Sequence, residues 1–344
     1  MSKLNPSVMT YSGLPQVRLS NFTYAFGVVT ALFLLWLPIE SQATVAWTFD
    51  TAHCISALGD SCGSSNLGPS QSFNQSFNNE SGGPIKVKVE AYATTNDPDN
   101  STGLDDDKFE SATLGLWSGG LGVSNNEDGS FGETPHHAFD NDGGTGTNYQ
   151  TPDESPDGDV DAGLFLFDQD ITLKNITIGY KPYDADISIM AYTGKMGDPT
   201  DKAALDDAVR NTLTSPANTF QGLLSSGWSF VGHYADLVIN NAEDINGNNS
   251  SYVNGGTAIS SSYWLISAYT SFAAPSGTSV PGSFDFGNDY FKISNLSGAL
   301  APQTGGDDPN PVPEPASWLL LAIGLIGLQM GRKDTYLSST KSMA

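Results

Sequence analysis

Histidine, cysteine and basic side chains are all scarce in this chain of 344 residues. Fourteen Lys and Arg stand against 38 Asp and Glu, a formal charge of −24. A field of that sign repels nucleic acid and anionic lipid surfaces, so neither is an expected partner. It attracts cations, of which calcium is the one available outside a cell. The four histidines are His53, His136, His137 and His233. No serine is expected to sit in a G-x-S-x-G elbow. Neighbours on a strand point to opposite faces, so at most one of His136 and His137 would face a site, and no spacing supports zinc. No catalytic residue is therefore assigned. The two cysteines, Cys54 and Cys62, show no C-x-x-C spacing, and in an exported segment they read as a disulfide closing a small loop.

Long apolar runs are also few, and the two that stand out lie near the ends. Ala25–Leu37 (AFGVVTALFLLWL) follows a polar stretch carrying Lys3 and Arg18. Ser41-Gln42-Ala43 then supplies small residues where a signal peptidase reads, which predicts a signal peptide over 1–43 cut between Ala43 and Thr44. At the other end, Val312-Pro313-Glu314-Pro315 leads into Ala316–Gly331 (ASWLLLAIGLIGLQMG) and the basic pair Arg332-Lys333. As a helix that run would reach about 24 Å, short of the roughly 30 Å hydrocarbon core. The basic pair is what a cytoplasmic flank carries.

A Pro-Glu-Pro motif, a short apolar helix and a basic pair, in that order, resemble the PEP-CTERM sorting signal. The resemblance implies processing by an exosortase after transient anchoring in the inner membrane of a Gram-negative-type bacterium. Delivery to the cell surface or extracellular polymer, in association with exopolysaccharide, would follow. The expected organisation is a signal peptide at 1–43, a body at 44–304, a polar spacer at 305–311, the sorting signal at 312–333 and a short tail at 334–344.

Residues 44–312 hold 35 Asp and Glu against 9 Lys and Arg, a balance of −26. Recurrent aromatic and β-branched residues still argue against disorder. Val45, Trp47 and Phe49 alternate with polar or small neighbours, and Ile85–Ala91 alternates most cleanly, which predicts a half-exposed antiparallel strand. Leu114–Trp117, Leu164–Phe167, Ile171–Tyr180, Ile187–Tyr192, Trp228–Tyr234, Leu237–Ile239, Tyr263–Phe272, Phe284–Phe286 and Tyr290–Ile293 read as further strands. Asn175 and Gly179 suit a bulge. One helix is expected, capped at Asp198-Pro199 and apolar along Ala203, Leu205, Ala208, Val209 and Leu213. The fold class is all-β, a β-sandwich or jelly-roll-like body with one short helix.

Several stretches of the body resemble exosortase-dependent surface proteins of the XDP1 type. They are Leu116–Val123 (LWSGGLGV), Glu133–Asn141 (ETPHHAFDN), Asp184–Ile189 (DADISI), Ala191–Gly194 (AYTG), Gly227-Trp228, Trp264–Tyr269 (WLISAY) and Asp289–Lys292 (DYFK). That resemblance implies surface display and assigns no catalytic residue.

Calcium is the candidate ligand. Asp157, Asp159 and Asp161, with Asp168 at the twelfth position, space oxygens like the start of a calcium loop, although Ala162 stands where an EF-hand has glycine. Asp140 and Asp142 form a second candidate, and Asp105-Asp106-Asp107 a third; each alternatively reads as a solvated acidic loop. Trp117, Trp228, Tyr263, Trp264 and Tyr269 could stack on sugars, but their strand positions favour core packing. The expected function is that of an exported, non-enzymatic surface or matrix protein. Its processing partners are signal peptidase and exosortase. The alternatives are a calcium-dependent carbohydrate-binding module and a secreted hydrolase.

Overall fold

The computed structural model describes residues 44–55, 66–78, 84–96, 108–125, 138–141, 160–194, 201–215, 218–245, 252–254, 259–280, 283–284 and 289–301. Within them the protein is all-β: an antiparallel sheet that curls over on itself, with two α-helices laid against one face. The chain first forms β1 (Thr44–Thr48), β2 (Cys54–Ile55), β3 (Asn66–Gly68), β4 (Ser70–Asn74), β5 (Phe77–Asn78) and β6 (Lys86–Asn96). Next come β7 (Lys108–Ser111), β8 (Thr113–Trp117), β9 (Gly120–Ser124), β10 (Phe139–Asp140) and β11 (Asp161–Tyr180). β12 (Ile187–Tyr192) precedes the helices α1 (Lys202–Thr214) and α2 (Phe220–Ser225). β13 (Trp228–Tyr234), β14 (Ala242–Asp244), β15 (Tyr252–Asn254), β16 (Ser261–Ala268) and β17 (Tyr290–Leu300) complete the order.

β11 is the axis. Two separate strands are expected there, yet the chain runs through as one strand of 20 residues. Its first half pairs with β6 and β16, its second half with β17 and β14. Between the halves Asp168, Gln169 and Asp170 are exposed and the β16 register slips, so one strand serves two layers. Register shifts against β17 fall next to Asn175 and Gly179, where a bulge is expected. The layers close through aromatic contacts from the first strand. Trp47 packs on Phe167 with ring centroids 4.6 Å apart, and Phe49 on Phe165 at 5.8 Å. Because β1 itself pairs with β17, these contacts fold the second layer over the first. Burying rings of this size supplies a large part of the apolar stabilisation.

β6 differs from its expected half-exposed form. Val87, Val89, Ala91 and Ala93 do face the core, but Glu90 and Tyr92 on the opposite face are also buried. The cause is α1, whose Arg210 reaches across to Glu90: Nε donates to both carboxylate oxygens at 2.9 Å. Lys88 and the Tyr92 hydroxyl donate to the same carboxylate at 2.7 and 3.3 Å. Burial, then the adjacent carboxylate, push the Tyr92 phenol well above its ordinary value, so it stays a donor. Replacing Arg210 by methionine should cost about 2 kcal/mol in a urea titration, below the usual loss for a buried pair because Lys88 remains. Coincident wild-type and variant midpoints would mean the pair is solvent-screened.

Three other local expectations are corrected. α1 is capped by Asp201, whose carboxylate accepts from Ala204 N at 3.0 Å; 198–199 lie outside the described residues. A second helix, α2, is too short to show periodicity, and Thr219 caps it. Leu237–Ile239 is no strand, because Asp236 and Asn240 on either side adopt left-handed backbone, φ 58° and 57°. The expected strand at Phe284–Phe286 falls largely outside the described residues. Trp228, Tyr263, Trp264 and Tyr269 are all buried core residues.

Candidate functional site: an aspartate junction and a C-terminal sorting signal

Short-chain carboxylates at strand ends can accept backbone amides that the ladder leaves unpaired, and this chain uses several that way. Asp289, just before β17, accepts from Asp186 N at 2.6 Å through one oxygen and from Asn141 Nδ2 at 2.7 Å through the other. Asn141, after β10, also donates to the Tyr269 carbonyl at 3.1 Å and accepts from Asp289 N at 3.2 Å. Asp186, before β12, accepts from Asp236 N at 2.7 Å. Asp184 accepts from Ala185 N at 2.8 Å, has Lys181 Nζ at 3.6 Å, and bridges to Asp289 through the backbone. Five chain segments are thereby tied together. Asp186 and Asp289 are fully buried. The Tyr269 phenol beside them is pushed up to about 12 by burial, then by these two carboxylates.

Ligand oxygens of Asp184, Asp186 and Asp236 all lie within 4.8 Å of one another. Asp184 is partly exposed and Asp236 exposed, which leaves this group open to water on one side. It is not the group predicted from spacing. Asp140 and Asp161 are buried strand residues, on β10 and at the head of β11, and belong to no such group of three among the described residues. Asp161 accepts from Asn125 Nδ2 at 3.2 Å. Asp142, Asp157 and Asp159, like Asp105–Asp107, lie outside the described residues. Sequence reasoning missed the Asp184–Asp186–Asp236 group because Asp236 stands 50 residues from Asp186 and only the β12–β13 pairing brings them together. One signal was present: the DADISI, DYFK and ETPHHAFDN stretches all reach this junction through Asp184, Asp186, Asp289 and Asn141.

The remaining histidines and cysteines form no catalytic arrangement among the described residues. His53 Nδ1 lies 2.7 Å from Asp50 Oδ1 at the surface. His233 Nδ1 lies 2.9 Å from Ser188 Oγ, but both residues are sealed in the core. His136 and His137 lie outside the described residues. Gly59-Asp60-Ser61-Cys62-Gly63 does carry the letters of a G-x-S-x-G elbow, against the expectation that none is present, and it lies outside the described residues. Cys54 is buried on β2 and disulfide-bonded, while Cys62 lies outside the described residues.

Val312, Pro313, Glu314, Pro315, Arg332 and Lys333 also lie outside the described residues, as does Ala43, while Thr44 opens β1. Among the described residues no helix is long and apolar enough to cross a membrane. The tail is decided by comparison: residues 311–333 match the model of the PEP-CTERM protein-sorting motif. The chain carries a PEP-CTERM sorting motif. Such a signal implies exosortase processing, export and sorting to the cell surface. No curated protein and no solved structure matches the chain, so the PEP-CTERM match covers its tail and not its body.

Proposed function

We propose that the protein is a non-catalytic component of the exopolysaccharide layer, with an XDP1-type body displayed at the surface of a Gram-negative-type bacterium. The sorting signal at 311–333 carries this reading. The body supports it: His233 is closed off by Phe230, Tyr269 and Phe284, a setting for packing and not for proton transfer to a substrate. Signal peptidase cutting between Ala43 and Thr44 would leave β1 intact, with Thr44 paired to Ala299. The inner membrane holds the C-terminal helix until the exosortase acts. In cells lacking exosortase, the protein should accumulate at full tail length in the membrane fraction and disappear from the polymer. Normal tail removal in those cells would refute the sorting step, and a processed protein absent from purified polymer would refute the matrix role.

A calcium-dependent form of this role is favoured by one observation, the convergence of Asp184, Asp186 and Asp236 within 4.8 Å. Hard oxygen ligands at such spacing suit calcium. Binding to the folded state alone would raise the melting temperature in calcium over chelator by mass action. Asp236→Asn should abolish that rise, because the exposed carboxylate is the one least needed by the fold. Equal melting in calcium and chelator would leave these aspartates as a structural tie.

A further inference from the structure

A concavity lies between the end of β1, the β8–β9 turn and Asn240. It encloses about 470 Å³, within the roughly 300–1,000 Å³ usual for small-ligand sites. Part of its wall is bare backbone. A Cβ on Gly119 would meet Tyr180 Cβ at 2.6 Å, and one on Gly179 would meet the Gly119 carbonyl at 2.3 Å. Close backbone approach of this kind brings the turn against β11 and fixes the shape of the cleft.

We propose that this cleft binds a neutral saccharide, and that Asp50, Trp117 and Asn240 are its contact residues. Each supplies a different part of sugar recognition. Asp50 is held by three hydrogen bonds, from Ala52 N, His53 N and His53 Nδ1, and all three reach Oδ1. Oδ2 of a side chain so fixed is left to accept sugar hydroxyls. Asn240 is set by its left-handed backbone and by its amide, which donates to the Ile178 carbonyl at 2.8 Å. Its side-chain amide offers both a donor and an acceptor at the rim.

Trp117 supplies an apolar wall that the C–H face of a pyranose can pack on. Its ring occupies the space above Gly115, where a Cβ would sit 1.6 Å from the ring, so the indole is positioned before any ligand arrives. Lys292 Nζ sits 5.6 Å from the ring centroid and 4.6 Å from that of Tyr180. Among the described residues no basic side chain lines the cleft itself. One carboxylate is too few for a calcium cage, and the acidic body repels anions. A polyhydroxylated neutral ring is the chemistry that remains.

This inference rests on the exopolysaccharide reading and names its contact site. The test is calorimetric titration of the full-length chain, purified in detergent, with short neutral oligosaccharides of glucose, galactose and mannose. Saturable binding to at least one series is expected, weakened about tenfold or more by Asp50→Asn and by Asn240→Gly. The first keeps the Oδ1 acceptor and removes only the Oδ2 charge; the second keeps the left-handed backbone. Both avoid the half-buried Trp117 ring, so loss of binding with unchanged melting reports the cleft. Wild-type affinity in both variants overturns the cleft, as does binding restricted to uronic-acid oligosaccharides. A protein that co-purifies with polymer but binds none of these sugars also overturns the cleft and leaves the matrix role standing. One that neither binds nor co-purifies overturns both.

Discussion

Gly120→Ala should lower stability by about 4 kcal/mol, whereas Gly68→Ala should cost about 1 kcal/mol. Both glycines have positive φ, 118° and 79°, so both substitutions incur backbone strain. They differ in what surrounds them. A Cβ on Gly68 meets nothing within 4 Å, but on Gly120 it would stand 2.2 Å from the Ile293 carbonyl oxygen and 2.8 Å from Ser294 Cα. Those are backbone atoms of β17, which pairs at Ile293 with Leu121 of β9, so no side chain can swing aside to relieve the collision. The β8–β9 hairpin would have to lift off β17. Urea titration of the two variants against wild type compares the crowded position with the open one. Equal losses would show that β9 and β17 can separate at little cost.

Acidification should destabilise the fold through His233. Burial pushes this imidazole down from 6.5 to about 3, with Phe230, Tyr269 and Phe284 packed around it. A depressed histidine is neutral in the fold while its unfolded counterpart takes a proton. The unfolded state therefore binds more protons between about pH 6.5 and 3, and stability falls as pH drops through that window. The slope from this one group approaches 1.4 kcal/mol per pH unit. The carboxylates nearby, Asp186 and Asp289 beside Tyr269, are common to wild type and variant. His233→Asn retains an acceptor for the Ser188 hydroxyl and removes the titration. The stability gap between wild type and this variant should narrow by about 2 to 3 kcal/mol from pH 6 to pH 4. A gap that stays constant would mean the imidazole takes its proton inside the folded protein.

Elements with strong period-two patterning were legible in the sequence, because alternation alone places residues such as Val87, Val89 and Ala91 on one face. What could not be read locally is what covers the other face. Nothing near Glu90 announces Arg210, which is 120 residues away and meets it only because α1 lies across β6. The union of two expected strands into β11 has the same origin: Asp168-Gln169-Asp170 looks like a turn, and pairing on both sides carries the strand through it. The acidic spacing that pointed to Asp140 and Asp161 measured chain distance, whereas the convergent group at Asp184, Asp186 and Asp236 depends on sheet pairing. The sorting signal was legible in full, being a linear motif whose meaning needs no fold.

The pairing of β1 with β17 sets a schedule for secretion. Thr44 and Ala299 are partners, and β17 also pairs with β9, β10 and β11. Of the described strands β17 is thus the last to be made and the last to cross, about ten residues ahead of the sorting motif. A chain threaded N-terminus first must wait, with its long-range contacts unmade, until the tail reaches the membrane. Closure of the body and arrival of the exosortase signal would then coincide, so the segment offered for cutting hangs from a domain that has only just become whole.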